Sequence, residues 1–329
     1  MPGGPGSWVR TLRSSFATTN AAPIYLVLLL VFLAAWAIVS LAGGQFLTID
    51  NLTSMLIRSV ALGIVAAGQT VVILAGSLDL SVAYLISVVA VVSALIMNGE
   101  PSQIPVAIVA VLGIGMAVGL ANGLLVTKLR VNAFIATLGV GLILRGLLNA
   151  AFDNFAGRVA PEFEVLAYGS LGSIPWSVIL LAVTVLAVWF LLRSTRFGHH
   201  IYAVGGNAET ARLSGVRSHR VIIGAHVLCS LTAVLTGLFL VARIRAGAPW
   251  IGPDGGYDLE SIAAVVVGGT ALAGGRGGVW GTLSGVLMLA IIDNAFNALQ
   301  VNSFVKDVVR GVIIVAAVAI YAQRERRSS

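Results

Sequence analysis

Asp79 is the residue whose type and place demand the most explanation. It sits in Ala75-Gly76-Ser77-Leu78-Asp79-Leu80-Ser81, a polar interruption between two long apolar runs. A carboxylate in such a setting is costly unless it is paired, hydrated or capping a helix. A new helical run starts at Leu80-Ser81-Val82, so the pattern points to a cap whose charge meets the dipole of the following helix. Solute contact and proton relay are the other uses open to it. A second interruption runs from Gly268-Gly269-Thr270 to Gly274-Gly275-Arg276-Gly277-Gly278, with Gly281-Thr282 beyond. Glycines let helices break or pack closely, and the backbone groups freed at a break must face protein or a wet cavity. Both interruptions contain Leu-Ala-Gly, at 74–76 and 272–274, which hints at duplicated halves.

Reactive chemistry finds few other carriers. Asp293, Asn294 and Asn297 lie at helical spacing in a later apolar run, where packing between helices is their plain use. Arg145 and Arg310 fall in or near apolar runs and can pair or snorkel. There is no HExxH and no cysteine cluster for zinc, and His199, His200, His219 and His226 are not arranged as a metal site. The only lysines, Lys128 and Lys306, do not follow a glycine, so no GxxxxGK[ST] loop exists to hold ATP. The glycines around Arg276 follow one apolar run and open another, which favours tight helix packing over a nucleotide loop. The single cysteine, Cys229, rules out a disulfide within the chain and reads as a small buried apolar residue. No catalytic residue, metal ligand or cofactor site is assigned.

The elements that carry these residues are membrane spans. The chain is 58% hydrophobic and 10% charged, far from a soluble globular average. Apolar runs of about 20 residues, enough to cross a bilayer as a helix, recur to the end of the chain. The expected fold is an all-α polytopic membrane protein of about ten spans, near 23–42, 57–76, 80–97, 105–127, 132–152, 175–192, 221–243, 259–274, 279–298 and 305–322. The first long run lacks a convincing signal-peptide cleavage site. Residues 1–22 form a Gly/Pro/Ser-rich lead, 23–322 the membrane domain and 323–329 a tail. With the N-terminus inside, most basic residues fall on the cytoplasmic side, Arg10, Arg13, Lys128, Arg130 and the arginines of 193–220, 276 and 324–327 among them. Arg58, Arg158, Arg243, Arg245 and Lys306 fall outside, with most of the acidic residues. Both termini and the 193–220 loop are then cytoplasmic. The net charge of +7 is explained by these basic loops rather than by nucleic acid.

That loop, RSTRFGHHIYAVGGNAETARLSGVRSHR, is polar, basic and too short for a domain. It carries the marks of one short helix: Asn207 as cap, Glu209 in the first turn, Arg212 near the end and Gly215 just past it. A short helix outside the bilayer between two spans is a natural place for a second protein to push.

Four strings then resemble the ribose-type permease family of bacterial ABC importers: Asp79-Leu80-Ser81-Val82; Val131-Asn132-Ala133-Phe134-Ile135-Ala136-Thr137-Leu138-Gly139; Gly205-Gly206-Asn207 through Arg212-Leu213-Ser214-Gly215; and Tyr257-Asp258-Leu259-Glu260-Ser261-Ile262 through Gly268-Gly269-Thr270. The resemblance spans about 45–322. It departs at Gly76-Ser77, where the family tends to have Gly-Gly, and at Ala83, where it tends to have glycine. The resemblance implies a transmembrane subunit of the bacterial cytoplasmic membrane that binds no cofactor itself. It implies a partner ATPase, often with two fused nucleotide-binding domains, which holds ATP and Mg. It also implies an extracytoplasmic solute-binding protein and a second permease copy, identical or paralogous. The positions matching the family's coupling helix are Gly206, Asn207, Glu209, Ala211, Arg212, Ser214 and Gly215. The breaks and the resemblance together give a candidate pathway of Asp79, Ser81, Phe134, Thr137, Gly268, Gly269 and Thr270. The expected cargo is a monosaccharide or small polyol; a nucleoside or branched-chain amino acid is the alternative within the same architecture. An ion-coupled secondary carrier would also fit inverted halves and broken helices. A membrane enzyme would need paired catalytic groups at depth, and none is visible.

Overall fold

A computed structural model describes residues 22–302, 304–306, 308, 309, 311, 312 and 315. The N-terminal lead, the C-terminal tail, Arg310 and most of the expected span at 305–322 lie outside the described residues. The described chain is helical apart from one two-stranded hairpin. In order it forms α1 (Ala22–Leu41), α2 (Ile49–Leu74), α3 (Val82–Met97), α4 (Ile104–Thr127), α5 (Ala133–Ala151) and α6 (Val165–Tyr168). The hairpin β1 (Ser170–Leu171) and β2 (Ile174–Pro175) leads to α7 (Trp176–Ser194), α8 (Arg196–Gly206), α9 (Ala208–Leu213) and α10 (Ser218–Ile244). Then follow α11 (Ile251–Asp254), α12 (Tyr257–Val267) and α13 (Val279–Ala298).

Seven of the described helices are long and apolar enough to cross a membrane: α1, α2, α4, α5, α7, α10 and α13. The expected count of ten is not reached among the described residues, and the reason is physical. The run at 259–274 yields only α12, which stops at Val267, because Gly269 (φ +81°), Gly274 (φ +91°) and Gly275 (φ +70°) take left-handed conformations that no helix contains. At 1.5 Å per residue α12 covers roughly 16 Å, about half a hydrocarbon core. Likewise α3, at 16 residues, is too short to count as a full span.

The centre of the bundle is α2, buried at every residue from Ser59 to Ala75. α10 packs along α2, α3 and α4. On α4, Gly119 and Gly123 face α10 so closely that a Cβ on either would sit 2.6 Å from the Cα of Val227 or Ile223. Small residues one turn apart let two membrane helices approach in this way. Thr48 caps α2 through the Asn51 N–H (3.2 Å), and Asn51 and Asn294 exchange side-chain amide hydrogen bonds (3.2 and 2.9 Å) that tie α2 to α13.

α10 is 27 residues long, so the loop before it and the segment after it lie at opposite ends of the bundle. The far end is stitched by several independent bonds. Ala156 and Gly247 exchange both backbone hydrogen bonds, and Gly99 N–H reaches Arg158 O (3.0 Å). Arg245 pairs with Glu164 (2.9 Å) and lies over the Tyr168 ring, whose hydroxyl donates to Arg243 O (2.6 Å).

Candidate functional site: two helix breaks and the loop that meets them

The first break runs from Ala75 to Ser81, and Asp79 is its centre. Asp79 is fully buried, and its carboxylate is saturated. Oδ1 accepts from the Ser81 N–H (3.0 Å) and hydroxyl (2.6 Å), while the Asn122 amide of α4 donates to both oxygens at 3.2 Å. The cap expected from sequence is not made: Ser81 is the N-cap of α3 and no side chain caps that helix, while Asp79 closes a local turn just before it through the Ser81 N–H. Sequence reasoning missed the partner across the bundle. His226 of α10, also fully buried, places Nδ1 3.2 Å from Asp79 Oδ2 and Nε2 2.9 Å from the Ser77 hydroxyl. An ionised carboxylate only accepts, so were Asp79 ionised and the ring neutral, Nδ1 would carry the ring proton and Nε2 would accept from Ser77. With its amide oriented to satisfy both partners, Gln69 of α2 brackets the Asp79 backbone N–H and C=O at 3.3 Å each.

Ser77, His226 and Asp79 thus stand in the order of an acid–base relay. All three are buried, and none lines either of the two cavities described below. What the arrangement does here is hold a break closed: a charge inside a membrane bundle is tolerated because every lone pair that it offers is taken.

Thr137 pins the same break from α5. Its hydroxyl oxygen accepts from the Leu80 N–H (3.1 Å) and donates to Ala133 O (2.8 Å). Asp79, Ser81 and Thr137, expected along the pathway, are brought together here and are wholly buried. Phe134 is not with them: it lies half exposed in the first turn of α5, where its N–H bonds the Asn132 cap (3.0 Å).

The second break is pinned by Thr270, which is fully buried and accepts from the Gly278 N–H (3.2 Å). Gly268 lies against Gly281, where α12 and α13 cross, and Gly269 is exposed. The two breaks touch. The Gly275 N–H donates to Leu74 O (3.0 Å), so the residue just after the second Leu-Ala-Gly string bonds the first residue of the other.

The third party is the 193–220 loop, which holds two helices where one was expected. Thr195 caps the first, α8, through the Gly198 N–H (3.1 Å), and Ile201 and Val204 bury one face of it. Gly198, Gly205 and Gly206 are poor helix formers and hid it from sequence reasoning. The Tyr202 hydroxyl donates to Gly277 O (3.0 Å), and burial raises its pKa above the ordinary tyrosine range. Gly205 lies where both breaks meet: a Cβ there would fall 1.8 Å from Leu74 O and 2.6 Å from Gly275 N.

The second helix, α9, has the caps that its sequence announces. Asn207 Oδ1 accepts from the Thr210 N–H (2.8 Å), and Glu209 pairs with Arg212. Gly215 has φ +85°; the Val216 N–H reaches Ala211 O and the Gly215 N–H reaches Arg212 O (3.0 Å each), the two bonds of a Schellman ending. The Arg212 hydrogen bond and charge hold the Glu209 carboxyl below its usual range. Ala211 is buried, whereas Gly206, Asn207, Glu209, Arg212, Ser214 and Gly215 are exposed. Leu213 points away with 77% of its surface bare.

Two cavities lie elsewhere. One, apolar, is lined by α1, α2 and α13 residues such as Tyr25, Phe32 and Met55. The other, of about 320 Å³, lies between α2, α12 and α13 and has a polar wall. None of the seven expected pathway residues lines either one.

A family model described as branched-chain amino acid transport system / permease component matches residues 51–318. Among curated relatives, the ribose import permease protein RbsC of Escherichia coli (strain K12) is 40% identical over 301 residues, which cover 89% of this chain and 92% of the relative. The galactose/methyl galactoside import permease protein MglC of Haemophilus influenzae is 32% identical over 327 residues, 94% of this chain and 96% of that protein. The L-arabinose transport system permease protein AraH of Escherichia coli is 34% identical over 312 residues, 92% of each. No solved structure matches.

Proposed function

The chain belongs to the branched-chain amino acid transport system / permease component family, with the ribose-type import permeases as relatives, and we propose that it is the transmembrane subunit of an ABC importer for a monosaccharide or related small polyol. It performs no covalent chemistry. A partner ATPase, holding ATP and Mg, draws its nucleotide-binding domains together; an extracytoplasmic binding protein delivers the solute; a second permease copy completes the channel. About ten spans within 23–322, both termini in the cytoplasm and 193–220 as the coupling loop complete the reading.

One observation carries it. α9 presents bare Leu213 and the Asn207, Glu209 and Arg212 side chains outward, while the helix before it touches both membrane breaks through Gly205. A push on α9 therefore has a short rigid route to the one place where the two breaks are joined. Asp79, Ser81, Phe134, Thr137, Gly268, Gly269 and Thr270 then act around the breaks as parts of the gate. The two gate states differ in free energy only by what the nucleotide state and the solute bind differently, which is all that a ligand can contribute to such a switch.

The test is reconstitution in vesicles with the companion ATPase and binding protein. Uphill uptake of a pentose or hexose that requires ATP hydrolysis is expected. Uptake that persists without ATP and collapses with an uncoupler would hand the chain to the secondary carriers, and uptake of leucine but of no sugar would move it to the amino acid importers.

A further inference from the structure

We propose that the apolar cavity under α1 is a binding site for one acyl chain of a membrane phospholipid, and that the chain bound there keeps α1 seated on the second helix break. The site is independent of which cargo the protein carries.

Among the seven long helices α1 is the most apolar and the least enclosed: only 11% of its apolar stretch is buried. It packs chiefly on α13 and leaves a gap towards α2, the helix that follows it. Its inner residues recur every three or four positions, as Ile24, Leu28, Phe32, Ala35 and Val39. In the second half of α1 this seam closes, with Ala35 and Val39 in one buried cluster with Phe46, Ile291 and Ala295. In the first half it stays open. Leu29 and Phe32 overhang a space of about 330 Å³, walled by Leu56 of α2 and floored by Leu287 and Ile291 of α13.

The chemistry of the walls selects the occupant. Apart from the Tyr25 hydroxyl, every described lining side chain is hydrocarbon or thioether. A trapped water needs several polar partners, and a sugar would leave its hydroxyls unpaired here. From Tyr25 to Phe32 the space runs roughly 10 Å along α1, so an extended hydrocarbon can lie in it. It opens sideways between Leu29 and Leu56, 52% and 37% exposed, on helices that meet lipid tails. Acyl chain is what the surroundings supply at that depth, and filling the space restores dispersion contacts that its walls lack. Tyr25 stands in the first turn of α1, where a ring with a polar tip suits the headgroup level. The chain therefore comes from the leaflet at that end.

Ile24, the neighbour of Tyr25, gives the site its use. It lies on Gly269, where a Cβ would fall 2.5 Å from Ile24 Cδ1. Gly269 has φ +81° and belongs to the second break, whose Thr270 and Gly275 are tied to Gly278 and Leu74. α1 is thus a strap whose first turn leans on the break, and whose spacing from α2 is set by what fills the cavity.

The test uses the full-length subunit in nanodiscs of phosphatidylglycerol that carries a diazirine on one acyl chain, with cross-links mapped by peptide mass spectrometry. Labelling is expected to be about tenfold heavier at Leu29 and Leu287 than at Leu30 and Leu33 on the open face of α1, the advantage of burying roughly two more methylenes. Leu287→Trp, which fills the floor, is expected to remove the excess at Leu29 and leave Leu30 and Leu33 unchanged. Leu29→Phe fills the space from the other side should that variant fail to assemble. Even labelling around α1 means ordinary bilayer contact and overturns the site. So does a cavity that cross-links to residues 305–322 of the same chain, or to a second copy, instead of lipid. Deuterium exchange of residues 268–278 tests the strap. Replacing the lipid by one with bulkier methyl-branched chains is expected to speed that exchange severalfold in the wild-type protein and not in Leu287→Trp, whose indole stands in for the chain. Exchange that ignores the lipid in both proteins overturns the link between cavity and break.

Discussion

Gly275 donates its backbone N–H to the carbonyl of Leu74 across 3.0 Å, and the Cα of Gly205 is packed against the same pair. Leu74 ends α2, Gly275 lies in the break before α13, and Gly205 is the last residue but one of α8 in the loop. Three stretches far apart in sequence therefore share one junction built from main chain, where no side chain has room to cushion a change.

Gly205→Ala is expected to lower stability by about 1–3 kcal/mol, the usual cost of overpacking, because backbone atoms cannot move aside as a side-chain tip can. Gly206→Ala, whose added Cβ meets nothing within 4 Å, is the control and should stay within about 0.5 kcal/mol. Thermal unfolding of the purified subunit in detergent separates the two; equal melting temperatures would dismiss the junction.

His226→Leu leaves the Asp79 carboxylate buried without its ring partner and should cost about 3–5 kcal/mol, seen as poor accumulation in the membrane. Asp79→Asn keeps hydrogen bonding and removes the charge, so it should cost less and disturb folding or gating rather than cargo choice. The double variant should be milder than the sum of the two, with a coupling of about 0.5–3 kcal/mol. A clean change in sugar preference at normal abundance for Asp79→Asn would contradict the structural role.

Gly215→Val forces a branched side chain to φ +85°, and Asn207→Pro removes the cap of α9. Both variants are expected to insert normally yet lose substrate-stimulated ATP hydrolysis in reconstituted vesicles. Leu213→Glu, which leaves both caps intact, should weaken association with the ATPase in a pull-down by about tenfold or more, as expected for a central apolar anchor. Full stimulation in all three would remove the coupling assignment.

The Glu209–Arg212 pair gives α9 a pH response of known sign. A carboxyl held below its ordinary value of 4.5 stabilises the fold above that pH and loses the contribution as pH falls through the lowered folded value. Amide exchange of Thr210–Gly215, corrected for intrinsic rates, should therefore be flat through neutral and mildly acidic pH and rise only below 4.5. The pair is exposed, so the change is small and Glu209→Gln should abolish it. A rise near neutral pH would point to a different group.

What was legible in the sequence was whatever local chemistry dictates. The caps of α9 follow from the Asn207, Glu209, Arg212 and Gly215 types alone, and the glycines of the second break announced a break. The partner of Asp79 was not legible, because His226 stands 147 residues away and its helix gives no polar periodicity that would single it out. α8 was hidden by its own glycines, which local propensity counts against a helix and which a close backbone approach requires. The cavity was hidden for another reason: Arg58, Asp254 and Asp293 belong to three separate helices, and only tertiary packing sets them around one space.

The seam that joins Ala156 to Gly247 and Arg158 to Gly99 carries a consequence for whatever lands on that side of the molecule. A rim riveted by main-chain bonds, an ion pair and a ring contact is held to a single contour. Under the import function proposed above, a visiting receptor would meet a fixed template there and be selected by matching a shape, some 40 Å, the length of α10, from the loop proposed to set the timing.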